Sequence, residues 1–192
     1  MASLPHPIFP SSGFTLLEFL VALAILAILM TLAVPSLQTW YGDNLLATQL
    51  NELRADLALA RAEALMRGRQ GVVCKTNTGR ECIRKNAHPW TQGWIVFVDR
   101  NGDENFNDGE VLLRHHPPLP TSVILQYRGF PSANYLTFNS TGSLGSSALT
   151  ASNGTFILCY LQGGGRALVI NSIGRIRVTR TDPDTGQPLA CL

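Results

Sequence analysis

Phe14 to Val34 reads FTLLEFLVALAILAILMTLAV, twenty-one residues with a single charge, Glu18. At ~1.5 Å per residue a helix of this length spans ~31 Å, the thickness of a bilayer's hydrocarbon core. One membrane span is therefore expected over residues 14–34. An ordinary secretory signal has a basic start, an apolar run of roughly 7–15 residues and a small-residue cleavage site after that run. Here the run is longer, residues 1–13 (MASLPHPIFPSSG) contain no Lys or Arg, and the small residues Ser11, Ser12 and Gly13 precede it. Residues 1–13, kept from forming a helix by Pro5, Pro7 and Pro10, read as a removable leader whose loss leaves the apolar segment on the mature chain.

Beyond the span, Pro35 removes one backbone hydrogen bond and predicts an interruption or kink. Residues 35–67 then turn amphipathic. Leu46, Leu50, Leu53, Leu57, Ala60 and Ala64 step by four and three, and Asn51, Glu52, Arg54, Asp56, Arg61, Glu63 and Arg67 take the other faces. Glu63 and Arg67 form an i,i+4 pair, and Gly68 is placed to cap the end. Residues 14–67 thus predict one helix of ~80 Å, membrane-spanning in its first half. Residues 68–192 offer short strand candidates at 70–75, 94–98, 110–114, 122–127, 135–138, 155–161, 166–171 and 175–180. Turns such as Asn101-Gly102, Asp108-Gly109, Thr141-Gly142 and Gly163-Gly164-Gly165 separate them. No strand–helix alternation follows, so the fold class is α+β: a long N-terminal helix on an antiparallel sheet or sandwich.

The formal net charge is +2, but its distribution says more. Five acids lie between Asp99 and Glu110; outside that loop, residues 68–192 hold eleven Lys/Arg against three acids. That basic surface permits an anionic partner. Cys74, Cys82, Cys159 and Cys191 all follow the apolar segment, and an even count on an exported domain suggests two disulfides. Spacing favours Cys74 with Cys82 and Cys159 with Cys191, with three connectivities open. Neither pair has the tight spacing of a zinc site, and no metal or cofactor is expected.

Glu18 needs a partner, because a carboxylate inside an apolar span costs roughly 2.5–3.5 kcal/mol on insertion scales. Cleavage at Gly13–Phe14 would create an α-amino cation on Phe14, and one subunit's amine could neutralise a neighbour's Glu18 during assembly. The run Gly13-Phe14-Thr15-Leu16-Leu17-Glu18, an apolar helix and Pro35 resemble the class III signal of type IV pilins and type II secretion pseudopilins. That resemblance implies cleavage after Gly13 by prepilin peptidase, N-methylation of Phe14 and insertion of the helix into a filament core. It implies a single-pass protein of the bacterial inner membrane with residues 68–192 in the periplasm, partnered by other pilin or pseudopilin subunits. The leader departs from the pattern in lacking Lys and Arg.

Trp90-Thr91-Gln92-Gly93-Trp94-Ile95-Val96-Phe97-Val98-Asp99-Arg100-Asn101 resembles the W-x-x-G-W-x-V-F-x-D-x-N signature of GspH/FimT minor pilins, and Gly174-Arg175-Ile176-Arg177 the G-R-x-R element of FimT-type members. Physically, Arg175 and Arg177 lie two apart on a strand and share a face, with Ile176 and Val178 inward. Arg166 and Arg180 are near in sequence, and residues 163–181 contain no acid. Such arginines suit phosphate contacts that are largely independent of base sequence, against the blander reading of a solvated strand face. The FimT resemblance implies double-stranded DNA as ligand, captured for natural transformation. The rival is a structural minor pilin or type II secretion pseudopilin that primes assembly and binds no nucleic acid. A third reading, an unprocessed membrane-anchored binding domain, makes Gly13 and Glu18 coincidental.

Asp99, Asn101, Asp103, Asn105, Asn107 and Glu110 have offsets resembling a calcium loop, but Glu104 stands where the sharp-turn glycine belongs, and a polar hairpin loop is the favoured reading. His115 and His116 are adjacent and face opposite sides of a strand. No nucleophile–base–orienter set appears, so an enzyme is not expected.

Overall fold

The computed structural model describes residue 13 and residues 15–84, 88–145, 153–161, 164–189 and 191, with backbone alone at 32 and 35. Leader residues 1–12, the proposed N-terminal residue Phe14 and Gly163 lie outside the described residues. Residues 1–40 and 41–192 form two units. In the first, every described side chain from Thr15 to Trp40 is exposed, and the helix there is long and apolar enough to cross a membrane. That helix, α1, runs Leu16–Arg67. The expected interruption at Pro35 does not divide it, since a missing N–H removes one bond while neighbouring turns keep theirs. At its start the Thr15 backbone N–H donates to Glu18 Oε2 at 3.0 Å, and the Glu18 N–H donates to Thr15 Oγ1 at 3.3 Å. This is a reciprocal capping box. At its end Arg69 N–H donates to the Ala64 carbonyl at 3.3 Å, and Arg67 pairs with Glu63.

In the second unit, eight strands follow: β1 (Gln70–Lys75), β2 (Trp94–Asp99), β3 (Val111–His116), β4 (Val123–Arg128), β5 (Tyr135–Phe138), β6 (Gly154–Tyr160), β7 (Gly165–Ile170) and β8 (Ile176–Thr179). They make two antiparallel sheets, ordered β3-β2-β1-β5 and β4-β6-β7-β8. The stripe Leu46, Leu50, Leu53, Leu57, Ala60 and Ala64 is buried in one core with Val73, Trp94 and Val96 of the first sheet and Phe156, Leu168 and Ile170 of the second. Helical period and strand alternation therefore meet on the same apolar volume.

The faces turned away from the helix are also covered. Behind the first sheet lie Val72, Cys74, Ile95 and Phe97, packed by Cys82, Phe106 and Tyr135. Behind the second lie Ile157, Cys159 and Ala167, packed by Ile124, Leu189 and Cys191. The disulfides are Cys74–Cys82 and Cys159–Cys191, so each one pins a covering segment to the back of one sheet.

One expectation needs correction. Asp56 does not take a polar face: it is fully buried, because Trp94 closes over it and its indole Nε1 donates to Asp56 Oδ2 at 2.8 Å. Arg114 Nη1 lies 3.2 Å from the other oxygen. Val178 shares the inward face of β8, since it pairs with Leu168, whose side chain is in the core; it is still 37% exposed because β8 is an edge strand with a neighbour on one side only.

Candidate nucleic-acid interface

The β7–β8 hairpin carries the arginines singled out in the sequence. Its turn is closed by Gly174 N–H donating to the Asn171 carbonyl at 2.8 Å, Asn171 N–H to the Arg175 carbonyl at 3.1 Å, and Arg175 N–H to Asn171 Oδ1 at 2.8 Å. Gly174 sits at φ 78°, and a Cβ there would lie 2.1 Å from the Gly142 carbonyl oxygen, so only glycine fits. Arg61 of α1 fastens the turn from below, with Nε donating to the Gly142 carbonyl at 2.8 Å and Nη2 to the Ile173 carbonyl at 3.1 Å. The hairpin tip is thus held to the helix by a side chain that the helical periodicity alone places on a polar face.

The four arginines do not form one cluster. Ile176 pairs with Ile170, whose side chain is in the core, so Arg177, paired with Val169, lies on the opposite, outer face. Arg175, two residues earlier, is also exposed. Neither guanidinium has an acid or acceptor partner among the described residues. Arg166 shares the parity of Leu168 and Ile170 and is turned inward, with a side chain only 17% exposed. Its Nη2 lies 3.5 Å from Asp43 Oδ1, and Arg180 Nη2 lies 3.9 Å from Asp43 Oδ2. Asp43 is thus a counter-charge for one pair and leaves the other open. The acid-free stretch 163–181 hid this, because the neutralising residue is far away in the chain.

A fifth arginine, missed in the sequence, joins the outer face. The pairings Arg128–Thr155, Thr155–Val169 and Val169–Arg177 run as one row across the second sheet. Arg128 Nη2 donates to Asp182 Oδ2 at 2.7 Å and lies 3.1 Å from Asp184 Oδ2. The Asp184 backbone amide and the Arg128 guanidinium hold the Asp182 carboxyl below the usual range. Nothing local to residue 128 signals this; sheet register alone supplies it.

The tryptophan-rich signature has structural work throughout. Trp90 Nε1 donates to the Ala133 carbonyl at 3.0 Å, and its ring meets Phe156 edge-on at 5.2 Å. Trp94 satisfies Asp56 on one side and stacks on His116 at 3.9 Å; His116 Nε2 is 2.9 Å from Glu52 Oε2. Burial pushes the Asp56 carboxyl up, against the opposing pull of the Trp94 hydrogen bond and of Arg114. Asp99 accepts from the backbone of Gly102 at 2.6 Å and of Glu104 at 2.8 Å, while Glu110 accepts from Arg100 and Asn107. The carboxylates of Asp99, Asp103 and Glu110 thus bond to the loop's own amides. Glu104 itself adopts φ 57° at the sharp turn. Among the described residues no group of three His, Cys, Asp or Glu side chains is arranged to hold a metal ion.

Against known proteins, the sequence model of the family described as type II transport protein GspH matches residues 49–174. The chain belongs to the GspH family. A second match, the prokaryotic N-terminal methylation motif, covers residues 9–34. Two crystal structures of the type IV minor pilin FimU from Pseudomonas aeruginosa superpose on this GspH-family chain at 25% identity. One has a TM-score of 0.54, covering 78% of this chain and 97% of FimU; the other has 0.51, covering 77% and 100%. The minor pseudopilin EpsH of the Vibrio cholerae type 2 secretion system aligns at 12% identity and a TM-score of 0.47, over 70% of this chain and 95% of that one. No curated protein matches. As a GspH-type pilin or pseudopilin subunit, the chain belongs with structural proteins that assemble with other pilin subunits. Its methylation motif and exposed apolar helix point to membrane anchoring and entry into a filament.

Proposed function

We propose that this GspH-family chain is a minor type IV pilin that presents a DNA-binding hairpin. In this reading prepilin peptidase removes residues 1–13, and Phe14 becomes the methylated N-terminus. Residues 14–34 hold the subunit in the bacterial inner membrane until it enters the pilus, the amphipathic stretch 35–67 reaches the domain core through Leu46 to Ala64, and residues 68–192 form the periplasmic body. Glu18 leaves its contact with Thr15 and meets the Phe14 amine of a neighbouring subunit, where opposite charges relieve each other's burial.

The observation that carries the DNA reading is the pair Arg175 and Arg177: exposed, without counter-charge among the described residues, and mounted on a turn anchored by Arg61. Guanidinium groups so placed make charge-assisted contacts to phosphate oxygens regardless of base sequence. Arg166 and Arg180, shared with Asp43, act as support and not as ligands. Arg175→Gln with Arg177→Gln is expected to abolish the gel shift of a random-sequence duplex; affinity equal to the parent's overturns the proposal. The family's description, type II transport protein GspH, supports a second reading as a type II secretion pseudopilin; in that reading the chain primes assembly and binds no nucleic acid. Under it the double variant is silent in DNA binding while Glu18→Ala blocks filament entry.

A further inference from the structure

We propose that the trough between Arg128 and Arg177 is a phosphate seat on the DNA-contacting face, and that Asp184 occupies it as a displaceable counter-charge that sets its affinity. This rests on the DNA reading above and adds a ligand-holding residue and a built-in competitor to it.

The two arginines stand at opposite ends of one cross-strand row, on β4 and β8, with Thr155 and Val169 between them. The three strand spacings separating them amount to ~14 Å between backbones, a gap that two inward-leaning guanidinium side chains can close on a shared anion. Arg128, Gly154, Thr155, Val169, Arg177 and Asp184 line a cavity of about 350 Å³ there. At ~30 Å³ per water, this holds a phosphate group together with its remaining hydration.

The two acids that meet Arg128 are not equivalent. Asp182 has a side chain 18% exposed, and its second oxygen accepts from the backbone of Asp184 at 2.9 Å and of Thr185 at 3.3 Å. It belongs to the turn and orients the guanidinium. Asp184 is 73% exposed, and its carboxylate makes no contact among the described residues other than the one to Arg128 at 3.1 Å. An exposed pair of that kind contributes little net stability and is readily exchanged. Arg128 has five N–H donors, so it can keep Asp182 while offering others to a phosphodiester, an anion of the same charge as the Asp184 carboxylate that a guanidinium can grip in the same bidentate way. With Asp184 in place the face is partly neutralised; with a phosphate in its place, Arg128 adds a contact across the sheet from Arg177.

The test uses the full-length protein in detergent micelles and a labelled 20-base-pair duplex, with affinity read by fluorescence anisotropy across a salt series. Asp184→Asn is expected to tighten binding about three- to ten-fold and to steepen the slope of log K on log salt by about one, the signature of one more phosphate contact. Arg128→Gln should weaken binding and cancel the gain when combined with Asp184→Asn. Arg128→Lys, which keeps the charge holding Asp182, should lie between. An Asp184→Asn protein that binds as the parent does, while Arg175→Gln with Arg177→Gln still abolishes binding, overturns the seat and leaves the DNA reading intact. Thermal melting in inorganic pyrophosphate separates the opposite case. A rise in Tm that is larger in Asp184→Asn and absent in Arg128→Gln, with no duplex bound by any variant, supports the seat and overturns the DNA reading.

Discussion

The backs of the two sheets are covered by the same device and end with opposite surfaces. Behind the first sheet, the segment pinned by Cys74–Cys82 meets the acidic loop, and Arg84 is wholly engaged: Nε donates to Asn105 Oδ1 at 2.9 Å, Nη2 to the Asp103 carbonyl at 2.7 Å, and the guanidinium lies 4.5 Å over the Tyr135 ring. Behind the second sheet, the segment pinned by Cys159–Cys191 reaches Ile157 and Ala167, and among the described residues Arg177 is left without a partner and Arg128 is held only by acids of the tail. A small apolar patch and one staple are enough to close a sheet. What separates a closed face from a candidate binding face is whether the cover brings its own partners for the arginines beneath it.

The largest effect expected from breaking this comparison comes from the staples. Their sequence separations are 8 and 32 residues, so loop-closure entropy assigns about 2.5 kcal/mol to the first and about 3.7 kcal/mol to the second. Cys159→Ser with Cys191→Ser should therefore lower the urea midpoint more than Cys74→Ser with Cys82→Ser, and it alone should change DNA affinity. Equal losses, or altered affinity in the first pair, would erase the distinction between the two faces.

Next in size is the polar group in the core that both sheets share. Asp56→Ala leaves the buried Trp94 N–H without an acceptor and should cost about 1–3 kcal/mol in denaturant unfolding. Asp56→Asn keeps an acceptor and isolates the charge. Because the native carboxyl is raised above its ordinary 3.8, the native state holds its proton over a range where the unfolded chain has lost it. Stability from this group is greatest at low pH and declines as pH rises from 3.8 through the raised native value. The Asn variant should show a flatter stability profile across that window; an unchanged slope would assign it to another group.

The smallest effect is acid loosening of the two covers. Asp103 on one face and Asp182 on the other are both held below 3.8: for Asp103 desolvation is the largest single influence and pushes upward, but the Asn105 amide, the Asn107 and Asn101 side chains and Arg84 together outweigh it; Asp182 is held down by the Asp184 amide and then Arg128. Each contributes stability present above 3.8 and lost as pH falls through the lower native value. Asp182→Asn should flatten the acid limb of amide-exchange protection around Cys159 and Ala167 only, and Asp103→Asn that around Phe97 only. A shared response would mean that the covers melt together.

Much of the frame was legible before any coordinates. The stripe from Leu46 to Ala64 is buried residue for residue, and the strands fall within a residue or two of the predicted runs, because period 3.6 and β-rich runs between turns are local signals. The misses share a cause. Asp56 flanks the apolar stripe, and its burial follows from where Trp94 arrives, thirty-eight positions downstream. The arginines divide because the Asn171–Arg175 turn fixes the β7–β8 register, which puts Arg177 opposite Val169 and leaves Arg166 with the core-facing parity. Parity along one strand can be read from sequence; parity between strands depends on register. Arg128 was out of reach for the same reason.

Arg61 has a mechanical corollary. It is a single side chain bolted at one end to α1 and at the other to the carbonyls of Gly142 and Ile173. A pull along α1 would therefore load the hairpin tip directly, without first travelling through the ladder of sheet hydrogen bonds. Cargo gripped at that tip would be towed by the helix itself, and Arg61→Ala would turn a rigid tow bar into a slack rope.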